Sequence, residues 1–259
     1  VLHTLNSMDR MIDVYCEYFF DDSVKQKYQN LNLYFDIDLW TEQNFVTTFE
    51  NHKIHQDIAF ENFLCTFAGV NHVSRRLLLA HLNKIGWFNP EYSTKNFAYT
   101  DLEIDGDIQM LQGKDFYHKF FIDETNFKQK ISSVSYNTIN HVNNIKMLEK
   151  SITSSFVHLV GETVAESHVP FVTEKFLYSV VNRGIFVGFG QPGWHQFLQK
   201  NLGFCLYKTL FDYSFDNITN VLDRILAITA MLFKYSKLSK HDLHDLYLLE
   251  GDIIEYNYD

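Results

Sequence analysis

The sequence predicts an α/β fold, a parallel sheet with helices on both faces, and three observations predict it. Short apolar runs alternate with helical patterns, at 62–69 then 74–82, and again at 155–161, 174–183, 185–189 and 193–201. The run at 185–189 is apolar throughout, as a strand covered on both faces must be, and 155–161 also reads as a strand. Glycines stand where runs and helical patterns end, at Gly69, Gly86, Gly161, Gly184 and Gly203. Alternation of this kind implies βαβ units.

Taken in order, residues 1–55 form a short N-terminal region, with strands expected at 11–15 and 31–35 in a polar setting. A larger domain is expected over 56–259. It opens on the strand at 62–69 and a helix over 74–82 with Ser74 as its N-cap, a residue type whose oxygen accepts from the first turn. Gly86 closes that helix, because a left-handed cap tolerates no Cβ cheaply. Residues 88–130 are polar and aromatic and read as an irregular insertion. Thr173 caps a helix over 174–183 that Gly184 ends, and the helix at 193–201 ends at Gly203. A long amphipathic helix is expected over 217–235, with Ile218, Val221, Leu222, Ile225 and Ile228 at helical spacing.

Composition narrows the function classes. A net charge of −10 argues against non-specific nucleic-acid binding, which needs a basic face, and leaves room for a local basic pocket for a nucleotide. Cys16, Cys65 and Cys205 are three, far apart and without a CxxC pair, which fits a reducing compartment. No apolar run approaches the ~18–20 residues of a membrane span, and no signal peptide is visible. The expectation is a cytoplasmic protein without a membrane span. The 16 % of aromatic residues sits beside only 3 Pro and many Asn, Lys and Ile, a pattern that AT-rich coding explains.

In parallel sheets ligands bind beyond the carboxyl ends of the strands. Two loops occupy that place here, 69–76 and 161–175. The second carries Glu162, Thr173, Glu174 and Lys175. A helix N-terminus presents unpaired N–H groups and the positive end of the helix dipole, which suits a phosphate. Lys175 would add a point charge for the phosphate, and Glu174 would accept from sugar hydroxyls; the plainer reading is a capped surface helix whose first-turn acid complements the dipole. Arg75 and Arg76 open the other helix, where one planar guanidinium could clamp a diphosphate or simply lie in solvent.

Other patterns carry less. Asp36-Ile37-Asp38 and Asp105-Gly106-Asp107 have the spacing of a carboxylate pair for a hard cation, yet such pairs are expected by chance among 32 acids. His241 and His244 read as part of a solvated C-terminal helix rather than a zinc site. The 188–193 segment echoes a GxGxxG loop, but Pro192 and its place after a late strand make it a turn. No nucleophile elbow and no Walker loop is present.

Phe171-Val172-Thr173-Glu174-Lys175 resembles the Tyr-Val-Thr-Glu-Lys signature of the α-1,3-fucosyltransferases. Upstream, Val160-Gly161-Glu162-Thr163 resembles the Phe-Glu-Asn-Ser/Thr segment that precedes that signature. The run from Phe63 to Arg75 or Arg76 resembles the family's strand, loop and arginine-led helix. Gly203-Phe204 and Asp212-Tyr213-Ser214-Phe215-Asp216 resemble phage- and virus-encoded glycosyltransferase-like proteins. The resemblance spans roughly 60–235 and implies a GT-B-like, Rossmann-type half with a reduced N-terminal part. It implies that Glu174, Lys175 and one of Arg75 or Arg76 contact a nucleotide sugar, GDP-fucose in the family. It implies no metal and no cofactor. Phe171 stands where the family has tyrosine, Thr163 where it has asparagine, and no position matches its catalytic carboxylate; Glu17, Glu42 and Glu50 are only available acids.

The function expected is transfer of a sugar from a nucleoside diphosphate sugar to a glycan hydroxyl. The alternative is a non-catalytic nucleotide- or carbohydrate-binding module, or a virion-associated one, that kept the fold. A metal-dependent transferase using Asp105 and Asp107 is the third.

Overall fold

The structure, a computed structural model, describes residues 6–8, 11–16, 22–35, 60–68, 73–87, 93–95, 149–162, 165 and 170–259. Two parallel sheets organise them. In the smaller, β1 (Ile12–Cys16) and β2 (Leu31–Phe35) pair in parallel, joined by α1 (Asp22–Lys27). Tyr28, Leu31 and Leu33 form its apolar cluster, with Ile12 and Val14 packed against them.

The larger sheet holds β3 (Asn62–Ala68), β4 (Ser93–Lys95), β5 (Ser155–Gly161) and β6 (Ile185–Phe189). All its pairings are parallel, and the spatial order is β4-β3-β5-β6. Chain and space therefore run together on one side of β3 and part company on the other. The point where the order reverses lies between β3 and β5, and a crevice opens at the carboxyl ends of such a pair.

Among the described residues, the helices of this part include α2 (Val73–Lys84), α3 (Glu174–Val181), α4 (Trp194–Asn201), α5 (Val221–Leu232), α6 (Lys240–Leu249) and α7 (Gly251–Tyr258). They cover both faces of the sheet. His158 and Phe186 stand side by side in the β5–β6 register, and they meet Ser179 and Phe176 of α3. Residues of opposite parity point the other way, so Phe189 meets Arg224 of α5 on the far face. On that face α5 is tied to α2 by the His81–Thr229 hydrogen bond of 3.1 Å. β5 and β6 are buried at every position, in a core that includes Phe156, Leu159, Val187, Trp194, Ile225 and Ile228. No helix of the described residues is long and apolar enough to cross a membrane.

The strands expected in the larger sheet fall where the apolar runs placed them. The helix boundaries differ in instructive ways. Helix α2 begins before Ser74, so Ser74 lies inside its first turn, buried, and is not the cap. Gly86 does adopt the left-handed conformation that ends α2, at φ 77°. At the end of α3 the left-handed residue is Arg183, at φ 49°, rather than Gly184. Gly184 is needed for space instead, because a Cβ there would stand 2.9 Å from Ile152 Cγ2. The 217–235 helix is shorter than its apolar spacing suggests. Tyr213–Asn217 is a 3₁₀ turn, and Asn220 caps α5 through bonds from the Leu222 and Asp223 N–H groups. Within the 88–130 segment, Ser93–Lys95 is a strand on the sheet edge; the rest of that segment lies outside the described residues.

Candidate functional site

The carboxyl ends of β5 and β6 and the start of α3 meet in one hydrogen-bonded cluster. It begins at Glu162, the residue after β5, whose N–H donates to Phe189 O at 3.0 Å and continues the ladder. Glu162 is fully buried. Its Oε1 accepts from the Thr173 N–H at 3.1 Å and its Oε2 from the Thr173 hydroxyl at 2.5 Å. A buried carboxylate must be matched by donors, and Thr173 supplies two.

Thr173 is extended, at φ −120° and ψ 172°, as an N-cap must be. Its oxygen accepts from the Lys175 N–H and, at 3.0 Å, from Lys175 Nζ. A single line thus runs from the Lys175 ammonium through the Thr173 hydroxyl to the Glu162 carboxylate. Lys175 is half-buried, held over the first turn of α3 rather than extended into solvent.

Arg75 approaches from the other side of the crevice. It stands in the first turn of α2, which follows β3, and is 1 % exposed. Its Nε donates to Gly161 O and Glu162 O, both at 3.0 Å. It bridges the reversal point between β3 and β5 and holds the end of β5 in place. Arg76 and Glu174 lie in the first turns of α2 and α3, and their side chains fall outside the described residues. Thr163, the pairs Asp36/Asp38 and Asp105/Asp107, and the acids Glu17, Glu42 and Glu50 also lie outside them. Among the described residues no group of three or more His, Cys, Asp or Glu side chains gathers to hold a metal. His241 is exposed on α6 and pairs with Asp245 at 3.6 Å.

Three residues around this cluster are not among the expected site residues, although Gln191 and Asp216 lie in segments the sequence singles out. Gln191 follows β6 and is 1 % exposed; its Oε1 accepts from the Phe171 N–H at 3.0 Å, so it anchors the segment leading to Thr173. Arg224, an apparent break in the apolar stripe of α5, is buried and donates Nη2 to Ala165 O at 2.5 Å and Nη1 to Ile218 O. It tethers the loop after Glu162 from the opposite face. Asp216 accepts at 2.8 Å from His195 Nδ1 and also from the His195 and Gln196 N–H groups, which caps α4. His195 Nε2 in turn accepts from the Gly188 N–H at 2.9 Å, so this ring carries its proton on Nδ1. Burial pushes the Asp216 carboxyl up, but the bonds from His195 and the two backbone N–H groups outweigh it and leave the carboxyl below its ordinary range.

The GxGxxG echo at 188–193 is a packing feature. A Cβ on Gly188 would stand 2.2 Å from the Trp194 ring, and one on Gly190 would stand 2.6 Å from it. The indole packs against Gly188 and Gly190 at the end of β6, and the glycines make room for it.

No protein-family model matches the sequence, no curated protein matches it, and no solved structure matches it.

Proposed function

We propose that this chain is a metal-independent, GT-B-like glycosyltransferase that takes its sugar from a nucleoside diphosphate sugar. Fucose from GDP-fucose is the first donor to try, on the resemblance of the 171–175 segment; a glycan hydroxyl is the acceptor. We place it in the cytoplasm, the host's if the chain is viral. One observation carries the reading: Arg75, Glu162, Thr173 and Lys175 converge at the carboxyl ends of adjacent parallel strands, beside the point where strand order reverses.

In this reading the ammonium of Lys175 exchanges Thr173 for the diphosphate, beside the N–H groups that open α3. Arg75 keeps the end of β5 fixed, and Glu174 takes the sugar or ribose hydroxyls. The acceptor oxygen attacks the anomeric carbon and loses its proton to a base as the bond to the diphosphate breaks. The charge gathering on the departing diphosphate falls to Lys175, and to Arg76 if its guanidinium faces the crevice. Incubation with GDP-fucose and a mixed glycan panel, in EDTA, tests the reaction. Release of GDP that depends on an acceptor supports it.

A second reading, a binding module without catalysis, is favoured by a specific observation. Glu162, the carboxylate of the cluster, has both oxygens engaged by Thr173 and is fully buried, so it is no base for an incoming hydroxyl. Nucleotide-sugar binding without turnover on any acceptor would decide for it.

A further inference from the structure

Two buried polar atoms beside the first turn of α3 have no hydrogen-bond partner among the described residues. One is Gln191 Nε2, on a side chain that is 1 % exposed; the other is Trp194 Nε1, on one that is fully buried. A buried N–H left unpaired costs free energy, and each such case in a folded protein calls for a physical reason.

Their placement supplies one. The Gln191 carboxamide cannot be reversed without loss, because its Oε1 is fixed on the Phe171 N–H at 3.0 Å. Its NH2 is therefore held at the base of the 171–173 segment that leads into α3. Gln191 also stands two residues after β6, and β6 is hydrogen-bonded to Glu162 through Phe189 O. The Trp194 ring touches Phe176, the residue after Lys175, at 5.8 Å between centroids. Both unpaired atoms are donors. The Gln191 NH2 and the N–H groups that open an eight-residue helix are all donors, and an acceptor-rich, anionic partner would satisfy them.

We propose that Gln191 is a ligand-binding residue of this site, its NH2 donating to a phosphate oxygen while its carbonyl holds Phe171. The proposal deepens the glycosyltransferase reading and rests on it for the nucleotide, but not for the anion. It also couples binding to order: an anion that engages Gln191 firms the segment bearing Thr173 and Lys175.

The test uses the full chain, 15N-labelled, titrated separately with inorganic pyrophosphate and with GDP in EDTA. The Gln191 side-chain NH2 pair is assigned by its loss in Gln191→Glu and in Gln191→Met. The expected result is that both ligands bind, that this pair shifts on titration, and that either substitution weakens both ligands tenfold or more. Gln191→Glu keeps an acceptor for Phe171, so it separates loss of the donor from loss of the loop anchor; wild-type shifts keep the test valid if a variant fails to fold. Binding of pyrophosphate with these shifts, but not of GDP, supports the Gln191 proposal and overturns the nucleotide reading. Binding of GDP with an unmoved NH2 pair and unchanged variant affinity overturns the Gln191 proposal alone. Binding of neither overturns both.

Discussion

Glu162 and Lys175 flank the same hydroxyl and have opposite uses. Glu162 is spent on structure: Glu162→Ala leaves the Thr173 N–H and hydroxyl without their acceptor in a buried setting. The expected cost is about 2 kcal/mol, read as a lower thermal midpoint. Lys175 is half-buried and its ammonium bonds to the Thr173 hydroxyl at 3.0 Å, so Lys175→Ala should lower the midpoint less than Glu162→Ala does. It should weaken GDP binding by roughly ten- to a hundredfold, the worth of one charge-assisted contact; unchanged affinity would remove the pocket. His158 contributes to acid stability. Burial holds its ring down to about 3 from an ordinary 6.5, against Ser179 on α3. A base depressed in the fold is neutral there while the unfolded chain takes up a proton. Its contribution is therefore complete above pH 6.5 and declines as pH falls from 6.5 towards 3. Urea unfolding of His158→Gln against wild type at pH 7 and pH 5 measures this. Wild type should lose more stability between the two than the variant does.

Elements differ in how much of them the sequence exposes. β6 was legible because a strand buried on both faces leaves an unbroken apolar run; β5 reads nearly so, interrupted by Ser155 and His158, which are buried all the same. β4 was not, because Ser93-Thr94-Lys95 is short and polar and becomes a strand only by pairing with β3. The apolar spacing that begins at Ile218 runs into α5 without a break. It hid the Asn220 cap, since Ile218 packs on the core from a non-helical residue. Periodicity reports which side chains are buried, not which backbone turns. The same limit applies at the site: the Thr173 cap could be read from local chemistry, whereas Gln191 and Arg224 act on segments 20 and 59 residues away. The glycines after β6 make a sharp case. Gly188→Ala would set a methyl 2.2 Å from the Trp194 ring, and overpacking of this kind costs roughly 1–3 kcal/mol. The variant should melt several degrees lower, with changed near-ultraviolet signal from Trp194; an unchanged midpoint would mean the indole has room to move.

At the scale of the molecule, the parallel strand order places the crevice before any residue is considered. Order β4-β3-β5-β6 reverses between β3 and β5, and the helices that follow those strands bring Arg75 and the Thr173–Lys175 turn to that edge. The sequence made the alternation of strands and helices plain, and with it the two loops. The strand order was hidden in it, because which strands become neighbours depends on packing across long stretches of chain. We propose above all that this edge holds a nucleoside diphosphate without a metal. Calorimetric titration of the full chain with GDP, UDP and CDP in EDTA, repeated on Lys175→Ala, tests it most directly. Selective, EDTA-insensitive binding of one nucleotide, GDP before the others, is expected, weakening at least tenfold in the variant. No binding of any nucleotide, or binding that Lys175→Ala leaves intact, would contradict it.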